Sequence, residues 1–463
     1  MFDRINSVFS TTLNCLKIPE LKSRILFTVL VLFVVRLISL IPVPGLDGSL
    51  LSEFLAEAAE KNDNSLLGMY SLFTGGALER CGIGSLGIMP YISATIIIQL
   101  LTAVLPGLGK LAREEGGRSK VVQIGRYLTV VLCLGQGFFM SLGWEKPEAL
   151  FPGFSGNLVL FDPGWIWAYR IQTVLVLTTG TLLLMWLGEQ ITERGIGNGI
   201  SLVITIGILA RLPQALQEVL GMFFPGEGID PQFGALTAVA MIGIFLIVTA
   251  VVIAVTQAQR KIPVQYAQRA VGRKVYAGGS SFMPLRVNYA GVMPIIFAQA
   301  ILMFPDKILT LMARTLEVSL FDEMAAMIQY GSVGYMIFEG LMILFFSYFW
   351  VATQFNEIQI ADDLKKYGGY IPGVRPGNAT SEFLHRTMSR ITFAGAMFLT
   401  AIAIIPLIIN RGLNIPFGAA TFFGGTSLLI TVGVVLDTMR QVESHLLTRH
   451  YDGFLKKGRI KGR

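Results

Sequence analysis

Charge is scarce in this chain. Only 14% of its 463 residues are Asp, Glu, Lys or Arg, against about 25% in a soluble domain, which argues against a water-soluble enzyme of this length. Cys15, Cys81 and Cys133 are odd in number and scattered. They exclude a disulfide-stapled secreted scaffold and share no metal-ligand spacing. His385, His445 and His450 are the only histidines, and the last two, five residues apart, do not share a helical face. No Gly-rich loop leads into Lys-Ser/Thr, and Gly195-Ile196-Gly197-Asn198-Gly199 has the wrong spacing for a dinucleotide site. Asn378-Ala379-Thr380 fits a glycosylation triplet but lies where the charge pattern expects cytoplasm. Nothing looks catalytic, and no cofactor or metal is expected.

Apolar residues are what the chain has, at 53%. The mean hydropathy is +0.62. That content excludes a disordered chain. Length alone would allow roughly three soluble domains, but apolar runs near the ~20 residues needed to cross a bilayer recur from end to end. Ten spans are expected, near 24–42, 83–105, 121–143, 166–187, 199–220, 235–256, 289–305, 332–354, 388–408 and 418–438. The first apolar run lacks a small-residue cleavage site and is read as a retained span. Segments before the odd spans, with the C-terminal tail, hold 28 Lys and Arg, against 8 on the other side. This positive-inside bias expects both termini in the cytoplasm.

The irregularities carry more information. Leu66 to Arg80 (LLGMYSLFTGGALER) is too short to cross and leads into span two through several glycines. It reads as a segment that dips into the membrane, or else as an external amphipathic hairpin. Gly87-Ile88-Met89-Pro90 in span two resembles Gly291-Val292-Met293-Pro294 in span seven, 204 residues later. Each opens the second span of a five-span half, and five being odd, the halves must enter the membrane from opposite sides. Gly/Pro-interrupted segments at matching places in inverted halves point to a pathway between them. Along it Ile88 and Ile92 share one helical face, as do Ile200 and Ile204. Branched apolar side chains around a pore exclude water and ions, although such pairs are also ordinary packing residues. Intramembrane charges are few: Arg36, Glu339 and Asp437. A solute transporter with inverted repeats usually carries more midplane carboxylates. Of the cytoplasmic loops, 257–288 holds six Lys and Arg with no acid, and 355–390 has a Gly-Pro-rich tip, Tyr370 to Gly377. Both read as docking surfaces for an acidic or polyanionic partner.

These residues resemble the SecY family, channel subunits of the bacterial protein-translocation machinery. The resemblance covers nearly the whole chain. Its most specific stretches are Phe73-Thr74-Gly75-Gly76-Ala77-Leu78, Gly87 to Leu101, Gly188 to Ser201, Ala290 to Phe297, Pro372 to Gly377 and Phe423 to Ile430. It implies an all-α polytopic fold, with ten transmembrane helices in two inverted five-helix halves that form a clamshell channel. The expected parts are a cytoplasmic N-terminus (1–23), an N-terminal half (24–220), a C-terminal half (235–438), docking loops 257–288 and 355–390, and a cytoplasmic tail (439–463). A plug near 66–80 would include Leu66, Phe73, Gly75, Gly76, Leu78 and Arg80. The family's pore ring carries over to Ile88, Ile92, Ile200, Ile204, Ile296 and Ile430. A lateral gate would use Ser93, Gln99, Gln136, Gln299 and Phe304. Arg260, Lys261 and Arg375 would dock the SecA ATPase or the ribosome. SecE and SecG subunits, signal-bearing polypeptides and membrane lipid are the remaining implied partners, in the bacterial inner membrane. The acid-rich stretch Ser52 to Asn64 departs from the family and reads as an extra external helix.

Overall fold

A computed structural model describes residues 18–60, 74–114, 116–147, 154, 156–223, 235–266, 269–271, 274–276, 279–302, 309, 319–329, 331–413, 420 and 425–457. Each expected span coincides with helix. In chain order these are α1 (Pro19–Leu40), α3 (Met89–Val104), α5 (Gly117–Glu145), α6 (Ile166–Arg194), α7 (Gly199–Leu209) continued by α8 (Leu212–Phe223), and α9 (Ala235–Gln257). Then come α10 (Met293–Leu302), α12 (Val333–Gln354), α14 (Asn378–Leu413) and α15 (Thr426–Lys457). The remaining helices are α2 (Gly48–Glu60), α4 (Pro106–Arg113), α11 (Ser319–Ile328) and α13 (Glu357–Lys366). Among the described residues six candidate spans are long and apolar enough to cross by themselves, and α3 with α4, bent by 105°, gives a seventh. The chain is a multi-pass membrane protein. Among the described residues the helices are joined by five short strands, which an all-α expectation does not include.

Two compact units are present: Met1–Leu220 with Ile430–Arg463, and Gly221–Leu429. In the first, α5 and α6 pack side by side and are pinned at both ends. Arg126 pairs with Glu189 at 2.9 Å, and Arg170 with Glu145 at 2.8 Å. Nineteen residues separate the two pairs on each helix, or about 28 Å at 1.5 Å per residue. That matches the ~30 Å hydrocarbon thickness, so the ion pairs stand where water can still reach them. Trp167 stacks under the Arg170 guanidinium at 4.8 Å; with the exposed Trp165 it forms part of an interfacial aromatic belt. Outside this hairpin, residues 41–47, with a turn closed by Leu46 N–H to Val43 O, lie between two partners. Val43 N–H donates to Cys81 O and Ile83 N–H to Ile41 O on one side; Asp47 N–H donates to Leu158 O and Leu160 N–H to Gly45 O on the other. The acid-rich stretch does form a helix as far as Glu60, α2. It buries Leu51 and sets Phe54 edge-on to Phe154 at 5.2 Å. At its start Asp47 accepts from the Ser49 N–H and hydroxyl, which holds that carboxyl below its ordinary range.

The sequence repeat is a repeat of backbone geometry. Gly87 and Gly291 have φ of +57° and +66°, a region L side chains avoid. Each lies two residues before its helix starts at Met89 or Met293. Pro90 and Pro294 then stand in the first turn, where a missing N–H removes no helical bond. The first-turn bonds correspond: Ile92 N–H to Ile88 O at 3.1 Å, and Ile296 N–H to Val292 O at 3.4 Å. Span two therefore becomes helical six residues later than the apolar run expects, because the αL glycine and the proline set the start.

In the second unit β1 (Gln259–Tyr266) and β4 (Ser280–Arg286) form an antiparallel hairpin, and β5 (Gly369–Tyr370) joins the free edge of β1. A shorter pair, β2 (Arg269–Val271) and β3 (Lys274–Tyr276), lies within the same loop. Ile262 and Leu285 of the hairpin pack with Val351, Phe355, Ile371 and Leu384 in one buried cluster. Gly291→Ala should isolate the backbone cost, since nothing lies within 4 Å of the added Cβ. It should lower stability by about 1–2 kcal/mol, read as a lower thermal midpoint in detergent. Gly243→Ala, inside α9 with equal space, should not lower it.

Candidate functional site

The expected plug is described from Thr74 onward; Leu66 and Phe73 lie outside the described residues. From Gly75 to Ile88 the chain is a succession of tight turns broken by one bridge residue, Gly82. Gly75 and Gly76 have φ of +64° and +81°, which ends any helix at that point. The turns are closed by Cys81 N–H to Leu78 O, Gly82 N–H to Ala77 O and Gly87 N–H to Gly84 O. The Ser85 hydroxyl is bonded to Gly82 O, and Ala77 and Leu78 are fully buried, while Arg80 is exposed. Two side chains hold the segment from outside it. Arg36 of α1 donates to Gly75 O at 2.5 Å, and Arg211, between α7 and α8, pairs with Glu79. A cavity of about 20 Å³ lies beside the contact, lined by Arg36, Ser39, Thr74, Gly87, Ile88 and Gly207. Thr74 thus reaches the residues that open α3.

The isoleucines expected to form a ring all sit within the first two turns of a helix or at its cap. Ile88 caps α3 and Ile92 is in its first turn; Ile200 and Ile204 open α7; Ile430 is near the start of α15. These five belong to the first unit and Ile296 of α10 to the second. All are buried except Ile200, which is half-buried. Asn198 caps α7, its side chain accepting from Ile200 N–H and Ser201 N–H at 3.1 and 3.3 Å. The preceding Gly-rich turn is tied to three helices. Ile196 N–H donates to Thr28 Oγ1, Gly197 N–H to Gln441 Oε1 and Gly199 N–H to Thr192 Oγ1.

Of the expected gate residues, Ser93 and Gln99 lie on α3 and Gln136 on α5, all half-buried and in the first unit. Gln299 lies on α10 in the second, buried, and donates to the buried Glu339 of α12 at 3.2 Å. Phe304 lies outside the described residues. The intramembrane Glu339 thus has a neutral amide partner, and Asp437 has Arg440 one helical turn on, at 3.6 Å.

The two loops expected as docking surfaces, 257–288 and 355–390, are joined in one platform. β5 carries the second loop onto β1 of the first, and Tyr370 Oη–H donates to Gln265 Oε1 at 2.9 Å. Arg260 and Lys261 are exposed on β1, and Arg375 is exposed at the tip. That tip is pinned on both sides. Ile371 is buried in the shared core, and the Thr380 hydroxyl donates to Arg375 O at 2.8 Å. The ion pairs nearby, His385–Glu357 and Arg386–Glu382, use other residues.

The SecY family model matches residues 82–439. A curated relative, the protein translocase subunit SecY of Chlamydia trachomatis, is 42% identical over 461 residues, covering 98% of this chain and all of the relative. This chain belongs to the SecY family. Escherichia coli SecY, also a protein translocase subunit, is 42% identical over 444 residues, 96% of each chain. Among solved structures, that of a protein-conducting channel superposes with a TM-score of 0.58 at 19% identity, covering 95% of this chain and 94% of that one. Sec61 in the canine ribosome–channel complex superposes with a TM-score of 0.55 at 18% identity, again over 95% and 94%. The SecY family thus accounts for the fold and the inverted repeat.

Sequence reasoning missed Arg211 and the joining of the loops. Arg36 was visible as an intramembrane charge, whereas its partner, a main-chain carbonyl, has no side-chain signal. The joining is testable. With the native cysteines replaced by Ser, Gln265→Cys and Tyr370→Cys, direct Cα partners in the ladder, are within disulfide reach. Oxidation should protect both thiols from maleimide, while Gln265→Cys with Arg375→Cys should stay reactive.

Proposed function

We propose that this SecY-family chain is a protein-conducting channel. It passes unfolded polypeptides across the cytoplasmic membrane, and releases membrane segments sideways into it, driven by a motor ATPase or a ribosome. The observation that carries the reading is 42% identity to translocase subunits over almost the whole chain. The two-half organisation, 24–220 and 235–438, supplies the wall of the channel, and both termini face the cytoplasm, as the 28-to-8 Lys and Arg distribution requires.

Within this reading Ile88, Ile92, Ile200, Ile204, Ile296 and Ile430 form the waist. Six branched apolar side chains offer water no hydrogen-bond partner, so a resting waist stays dry. They also yield sideways, which suits a channel that must accept many sequences. The plug turn closes the waist from outside. Ser93, Gln99, Gln136, Gln299 and Phe304 line the lateral gate, giving a signal sequence polar contacts as it leaves toward lipid. SecE and SecG are the companion subunits. The platform docks SecA or a ribosome; the joined sheet supports this, because it gives Arg260, Lys261 and Arg375 one rigid base.

Charge-assisted contacts of this kind are worth about 1.5–3 kcal/mol each, tenfold or more in affinity. Arg260→Glu and Arg375→Glu should therefore weaken motor or ribosome binding at least tenfold, and with it export, while the variants still insert at the parent level. Unchanged binding by both inserted variants contradicts the docking role. Loss of both proteins from the membrane means that the charges serve topology alone.

A further inference from the structure

We infer that the cavity beside Arg36 binds one monoatomic anion, a halide, as the counter-ion of that arginine. Such a site does not depend on whether the chain conducts polypeptide. Arg36 stands within α1, in a span where a cation is costly and is normally paired. Its one bonded partner among the described residues is the main-chain oxygen of Gly75, at 2.5 Å. A carbonyl is a dipole: it takes one N–H of the guanidinium and leaves the positive charge in place.

The surroundings add to that charge. Segment 74–88 contains one acid, Glu79, and Arg211 pairs with it. Arg80, the next residue, is exposed and near enough to act on Arg36. Arg36, Arg80 and Arg211 against Glu79 leave an excess of positive charge around the cavity, a field that draws in anions.

Size then selects the anion. The cavity measures about 20 Å³, somewhat more than the ~10–15 Å³ that a single water requires. A phosphate, a sulfate or a carboxylate is too large for it. Arg36, Ser39 and Thr74 are its polar lining, and Ile88, Leu184, Val203 and Ile206 form much of the rest, all within the first unit. The Ser39 hydroxyl donates to Val35 O at 3.3 Å, which leaves the guanidinium as the chief donor. A halide suits this lining. It is spherical, accepts from the guanidinium without needing donors on every side, and packs against apolar walls. A water fits the space but brings no charge, and apolar walls offer it few partners.

The test is chloride binding to the full channel complex in detergent, read as broadening of the chloride NMR line, with gluconate keeping the ionic strength constant. The parent should show a saturable component that bromide displaces and sulfate does not. Arg36→Gln removes the cation and should weaken that component at least tenfold. Val203→Leu keeps the cation but puts a further methylene into the cavity, and should weaken it as much. Arg440→Gln, an arginine outside the cavity lining, should leave it at the parent level. Crystals of the parent complex grown in bromide should show an anomalous peak beside Arg36, which fixes the position even if a variant does not insert. A parent with no saturable component means that the cavity holds water only. Parent-like binding by either inserted variant, or a bromide peak only elsewhere, puts the anion at another place. Each of these results overturns the site.

Discussion

A bilayer interior offers no partner to a bare N–H or C=O, so every break in a spanning helix must be closed by the protein itself. The breaks in this chain follow that constraint. At 195–201 the backbone N–H groups are taken by Thr28, Gln441, Thr192 and Asn198, drawn from α1, α15, α6 and the turn itself. At 74–88 the turns bond to one another, and the carbonyl of Gly75 receives Arg36. Other hydroxyls in the apolar helices, such as those of Thr95, Thr129, Thr205 and Ser347, donate to carbonyls one turn back in their own helix.

Much of this architecture is legible in the sequence because hydropathy and charge act through a simple solvent rule. Helices occupy all ten expected spans. Where a boundary shifted, a local backbone rule competed with hydropathy: Gly87 and Pro90 delay α3. Ile88, Ile92, Ile200 and Ile204 stand out in the sequence by their spacing after the glycines at 87 and 199, and Ile296 by the repeat, whereas Ile430 has only the family resemblance to mark it. The union of the two loops was not legible. Strand β5 is two residues long, too short for any alternation pattern, and its pairing with β1 over a hundred residues away is a matter of tertiary contact.

The same distinction separates the polar contacts. Arg126–Glu189 and Arg170–Glu145 join opposite charges on neighbouring spans, and a pattern of charges 19 residues apart can be sought in a sequence. Arg36 to Gly75 cannot be found that way, because any carbonyl could serve. What the sequence does show is an arginine with no acid beside it in a span, and a pair of glycines in an apolar segment elsewhere. The structure brings the two together.

The central claim is that an apolar waist and a plug keep this channel shut at rest. Conductance of the purified channel across a planar bilayer tests it most directly. The parent is compared with a chain in which Ile92, Ile204 and Ile430 are replaced by Asn and residues 66–80 are deleted. The account predicts a large resting ion leak in the altered chain, greater than with either change alone. An altered channel as ion-tight as the parent would contradict it, and would make these isoleucines ordinary packing residues.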